Sequence, residues 1–131
     1  MIIVDTNVIA YLFIRGELSE NAKRLLTRDP EWISPYLWRS EFRNVLARYM
    51  RKGDLSYKDA MLLMEEAENL LQNMEYLTKS ERVLELVSKS DCSAYDCEFV
   101  ALAYELNLKL YTSDRRLLKS FPDITVSLRE I

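Results

Sequence analysis

Four acidic residues, Asp5, Glu41, Asp96 and Asp114, stand where a carboxylate can do more than solvate a surface. Asp5 closes the β-branched run Ile2-Ile3-Val4, and Asp114 closes the run from Leu108 to Ser113. Residues that end the strands of an open parallel sheet lie where ligands bind, because loops converge there and helix N-termini point inward. The two would meet if their strands were adjacent and central. Asp96 falls in the first turn of a predicted helix and would sit over the same edge. Glu41 lies about two turns into another helix, with Leu37, Trp38, Val45 and Leu46 as apolar neighbours at helical spacing. Carboxylates held together repel and are driven to protonate unless a cation screens them, so such a cluster predicts a bound metal. An all-oxygen donor set favours Mg²⁺ or Mn²⁺ over zinc. One or two such ions activate water for in-line attack on a phosphodiester and stabilise the leaving oxygen.

Each of these residues also has a purely structural reading. Asp96 follows Ser93 by three residues and fits the acidic half of a capping box; Asp114 and Asp5 fit N-caps; Glu41 fits a solvated helix position. Thr6, Asn7, Ser93, Thr112 and Ser113 are suited to orienting carboxylates or water, and equally to capping helices. Arg15, Arg39, Arg43, Arg115 and Arg116 lie near the acidic positions and suit bidentate phosphate contacts, or simply solvated helix faces.

Composition narrows the chemistry. The chain has no histidine, which removes the commonest general base and the Ser/His/Asp and Cys/His forms of nucleophilic catalysis. Without histidine, Cys92 and Cys97 cannot complete a zinc set of the usual kind, and they read as reduced thiols of a reducing compartment. The net charge is −3, unlike a protein that holds nucleic acid by phosphate neutralisation alone, so local cations or bound metal must offset the repulsion.

The elements that must position these residues follow from patterning. At 131 residues, 49% of them hydrophobic and with only 2 glycines and 3 prolines, the chain fits one helix-rich domain spanning 1–131. Neither a leader nor a membrane span is expected, which points to the cytoplasm. Strand 2–4 feeds a helix beginning near Thr6 or Asn7, and a second helix covers 20–27. Strand 32–33 precedes a helix that Ser34 caps, with Pro35 at its first position, running to about Lys52. Gly53 supplies a left-handed stop, and Ser56 to Asp59 opens a helix towards Met74. Leu62, Leu63 and Leu70 widen its apolar stripe; burial within the domain is the main reading, and a partner surface the alternative. A brief strand at 76–77, helices at 80–88 and 93–106 ending at Asn107, a strand at 108–112, a short helix after Asp114 and a strand at 124–126 complete the chain. Strands alternating with helices imply an α/β sandwich with a mainly parallel sheet.

Three segments resemble the PIN-domain family, and more closely the toxin nuclease of prokaryotic VapBC toxin–antitoxin pairs. These are Ile3-Val4-Asp5-Thr6-Asn7 with Ser40-Glu41, then Ser93 to Ala103, then Leu110 to Asp114 with Leu117 after it. They occur in the family's order over essentially the whole chain. The resemblance implies a three-layer α/β/α sandwich and an RNA endonuclease. Asp5, Glu41, Asp96 and Asp114 would be the metal-binding carboxylates, assisted by Asn7 and by Thr112 or Ser113. A homodimer and a small antitoxin that blocks the site are also implied. Cys97 stands where the family commonly has alanine, a change expected to affect helix packing only. Three other readings compete: a PIN nuclease of RNA processing, a non-catalytic acidic module that binds a basic partner, and a phosphotransferase using Asp5 as nucleophile. The last usually has a second aspartate at the position held here by Asn7.

Overall fold

The computed structural model describes all residues from Met1 to Ile131. Strands β1 (Ile2–Val4), β2 (Trp32–Pro35), β3 (Glu75–Tyr76), β4 (Leu110–Thr112) and β5 (Thr125–Ser127) form one parallel sheet in the order β3-β2-β1-β4-β5. Seven helices accompany it: α1 (Thr6–Phe13), α2 (Ser19–Arg28), α3 (Leu37–Arg51), α4 (Tyr57–Leu70), α5 (Ser80–Ser88), α6 (Ala94–Leu106) and α7 (Arg115–Ser120). The result is a three-layer α/β/α sandwich. Helix α6 lies across β1, β2 and β4 with α5 packed on it, while α1, α3 and α4 pack on one another and α1 also meets α2.

The central strand is apolar on both faces, as a parallel strand covered by helices must be; Ile2, Ile3 and Val4 are all buried. Trp32, Trp38, Phe42, Phe99 and Leu102 fill the space around it with no solvent exposure to speak of. Each large apolar side chain so buried contributes roughly 1.5–3 kcal/mol. After β1 the chain builds outward to β2 and β3, then returns to build β4 and β5 on the other side. The order therefore reverses between β1 and β4, and the crevice at their carboxyl ends is the place where such sheets bind ligands.

Several local expectations hold. Ser56 and Ser93 accept from the backbone N–H groups of Asp59 and Asp96, capping α4 and α6, and Asn107 (φ 53°) and Gly53 (φ 82°) take left-handed conformations. Others do not. Ser34 and Pro35 belong to β2, and α3 starts only at Leu37, with Tyr36 as a cap that makes no side-chain bond. The Ser34 hydroxyl instead donates across the sheet to the Val4 carbonyl (2.6 Å), and the Ser34 N–H donates to the Met74 carbonyl. Helix α4 ends at Leu70 rather than near Met74, because the chain turns through Asn73 (φ 65°) to enter β3. Its widened stripe is not fully covered: Leu63 and Leu70 are half-buried, while Met61 and Leu62 are exposed. A closing 3₁₀ turn, Leu128–Glu130, has no counterpart in the sequence reading. Cys92 and Cys97 are free and buried in the core.

Candidate active site

Asp5, Glu41, Asp96 and Asp114 all line one cleft of about 440 Å³ beside the β1/β4 crevice, although 36 to 109 residues of chain separate Asp5 from the other three. Local chemistry positions each one. Asp5 is the N-cap of α1, its Oδ1 accepting from the Thr6 N–H (2.8 Å). Asp114 caps α7 by accepting from the N–H groups of Arg116 and Leu117 (2.8 and 3.3 Å). Asp96 occupies the first turn of α6, held by the Ser93 cap. Three of the four carboxylates thus sit at the positive ends of helix dipoles, which partly offset their mutual repulsion. The residues that cap or start these helices also line the cleft.

Of the polar residues expected to assist, Thr6, Asn7, Thr112 and Ser113 form a connected frame, while Ser93 only caps α6. Fully buried Thr112 donates through its hydroxyl to Asp5 Oδ2 (2.7 Å) and accepts from the Asp114 N–H (3.0 Å), tying the ends of β1 and β4 together. Asn7 spans the same junction, donating to Asp5 Oδ2 (3.0 Å) and accepting from the Ser113 N–H (3.1 Å). Thr6 donates to Glu41 Oε1 (2.7 Å), bringing in α3. No buried side-chain polar atom lacks a partner.

Burial dominates the electrostatics. Asp5 is 5% exposed, and loss of water around it, with the charges of Glu41 and Asp96 added, raises its carboxyl from the ordinary 3.8 to about 7 against the opposing bonds from Thr112 and Thr6. Glu41 is raised by burial and by the charges of Asp96 and Glu98, against the Thr6 hydroxyl. Asp96 is raised by burial and by Asp114, against Ser93 and Arg116. A group of carboxylates that resists ionisation is one that a cation would stabilise. No three acidic side chains here stand close enough to chelate one ion directly. Mg²⁺ keeps several of its waters and is usually held through one or two carboxylates, so an all-oxygen set distributed round a cleft suits it.

Not every anticipated residue faces the cleft. Arg15 lines it, but Arg43 does not: it follows Glu41 by two residues, about 200° round the helix, and is exposed elsewhere. Arg39 is engaged in a bidentate pair with Glu75 (2.6 and 2.7 Å) and a further bond to Glu68, so it ties α3 to β3 and α4 rather than awaiting phosphate. Glu75 is correspondingly held below the usual carboxylate range by Arg39. Arg115 and Arg116 face a neighbouring groove with Ser88 and Lys89. Tyr11, Asn44, Arg48 and Tyr49 line the cleft and were missed. Helical spacing could have found them, since Asn44 and Arg48 follow Glu41 by three and seven residues, and Tyr11 follows Asn7 by four.

Comparison with known proteins agrees with this architecture. The PIN domain family model matches residues 2–122. Ribonuclease VapC3 of Pyrobaculum aerophilum is 31% identical over 124 residues, covering 92% of this chain and 95% of that one. Among solved structures, FitAcB from Neisseria gonorrhoeae superposes over the full length of both chains with a TM-score of 0.79 at 17% identity. A toxin-antitoxin complex from Klebsiella pneumoniae does so with a TM-score of 0.64 at 19% identity. The extent of the family match, together with the strand-end carboxylates that it spans, establishes that this chain belongs to the PIN-domain family.

Proposed function

We propose that the protein is a VapC-type endoribonuclease, the toxin of a type II toxin–antitoxin pair, in which Asp5, Glu41, Asp96 and Asp114 form a divalent-metal site. The observation that carries this reading is the convergence of four chain-distant carboxylates on one cleft at the β1/β4 switch point. Mg²⁺ or Mn²⁺ held by these carboxylates would supply Lewis-acid chemistry and a more acidic water. The residues of the chain do the rest. Asp96 and Asp114 present carboxylate oxygens from helix N-termini. Thr112 and Asn7 fix the orientation of Asp5, and Thr6 fixes that of Glu41. Ser113 and Ser93 hold their places through backbone and cap bonds.

Two of the competing readings conflict with particular contacts. An acidic docking module needs exposed charge, whereas Asp5 is buried. A phosphotransferase of that kind usually has a second aspartate two residues after the nucleophile, and that position is Asn7, whose amide donates to Asp5 Oδ2 instead. On this reading one nuclease domain makes up a cytoplasmic protein that forms homodimers and is blocked by a small antitoxin; the likeness to the toxin-antitoxin complex from Klebsiella pneumoniae supports the last part. No helix is long and apolar enough to cross a membrane. Exposed apolar side chains at Tyr36, Leu77, Leu84 and Tyr95 offer a surface for a partner chain. Calorimetric titration with Mn²⁺ tests the metal site: heat that saturates for the wild type and is lost in Asp5→Asn is expected, and equal binding by both proteins would contradict the assignment.

A further inference from the structure

Beside the carboxylate cleft runs a second depression, about 730 Å³ in volume and without a single apolar residue in its lining. Lys89 projects into it from the end of α5, and Arg115, Arg116 and Lys119 from α7; Asp91 is the only acid among its walls. All four cations are exposed. Arg115, Arg116 and Lys119 make no ion pair, and Lys89 makes only an exposed contact with Glu85 four residues earlier, a kind of pair that holds a side chain weakly. Such a concentration of positive charge, three of its four members unpaired, is notable on a chain whose net charge is −3.

The groove adjoins the candidate active site. Asp114, in the cleft, is the N-cap of the same helix that carries Arg115, Arg116 and Lys119, and Arg116 is near enough to Asp96 for its charge to favour that carboxylate. A strand whose scissile phosphate lay among the carboxylates would therefore have its adjoining phosphates within reach of this groove. Ser88, Ser90 and Ser120 add hydroxyls to the lining. We propose that the groove between the end of α5 and helix α7 is a phosphate-binding track for RNA flanking the cleavage site, with Lys89, Arg115 and Lys119 gripping the backbone irrespective of base. This rests on the nuclease reading for its substrate, but it concerns affinity rather than chemistry. Contacts of this kind release counterions, so each one appears in the salt dependence of binding, with a slope of about 0.7 per phosphate on a single strand.

The test uses the full chain in EDTA, so that RNA is bound and not cut. Binding of a fluorescent single-stranded oligoribonucleotide of mixed sequence is followed by anisotropy over a range of salt concentrations. Lys89→Ala/Lys119→Ala is expected to weaken binding about tenfold at low salt and to reduce the slope of log K against log salt by about 1.4. Lys58→Ala/Lys109→Ala removes the same charge from residues that line neither depression and should leave the slope unchanged. Circular dichroism checks that both variants fold. An unchanged slope in the groove variant, an equal fall in the control variant, or no measurable binding by the wild type would each overturn the track. Metal-dependent cutting of RNA by the wild type is assayed separately: if it is absent while the groove variant still loses slope, the nuclease reading fails and the binding track stands.

Discussion

Asp5 concentrates the physical tension of the site in one side chain. It is buried, it caps α1, and it accepts bonds at both oxygens, yet its carboxyl is raised to about 7 because solvent is excluded and other acids face it. The raised value means that the folded state holds this proton more tightly than the unfolded chain does. The resulting stability is complete below the ordinary value of 3.8 and is lost as pH climbs towards about 7. In EDTA the protein should accordingly lose on the order of 4 kcal/mol across that window through Asp5. Urea denaturation at successive pH values would show a decline that is smaller in Asp5→Asn, where only the raised Glu41 and Asp96 carboxyls still contribute; parallel profiles would count against the buried acid. Thr112 offers a second test. Thr112→Val keeps the shape but removes the donor to Asp5 and the acceptor for the Asp114 N–H, and should cost about 1–3 kcal/mol in the same assay, whereas Thr112→Ser should retain most of it.

At the scale of elements, helix starts do two jobs, and this explains what could be read from sequence. Asp5, Asp96 and Asp114 were legible because a strand end or a cap is a local pattern that needs no knowledge of the tertiary structure. The adjacency of β1 and β4 was legible only as a condition, and the register Ile3 to Leu110 supplies it. Ser34-Pro35 misled for the same local reason: the pair is a good helix-start signal, but pairing with β3 claims both residues for the sheet. Arg39 was illegible as a structural residue because its partners lie 29 and 36 positions away. Removing it should leave Glu75 without its bidentate partner in a nearly covered position. Arg39→Met is therefore expected to lose on the order of 2 kcal/mol in urea denaturation. Ser93→Ala tests the start of α6 directly. Loss of the bond to the Asp96 N–H should cost about 1 kcal/mol and loosen a cleft carboxylate, which makes metal titration the informative second readout.

For the molecule as a whole, an acidic chain meets a polyanionic substrate by segregating its charges. Carboxylates converge at the switch point of the sheet, and cations flank them, Arg15 and Arg48 in the cleft and Lys89, Arg115, Arg116 and Lys119 in the adjoining groove. The fold makes this arrangement possible, because a parallel sheet delivers the ends of β1 and β4 and the starts of α1 and α7 to one edge. On the proposed function, this edge cuts RNA through its acidic residues and a divalent ion. The most direct test is cleavage of mixed cellular RNA by purified, antitoxin-free protein with Mg²⁺ or Mn²⁺, with EDTA, and with Asp96→Asn shown by circular dichroism to be folded. Cutting is expected to require metal and to fall by at least about a hundredfold in Asp96→Asn, a loss of the order seen when a group stabilising transition-state charge is removed. Cutting that persists in EDTA or in the folded Asp96→Asn protein, or intact RNA in every metal-loaded wild-type reaction, would contradict it.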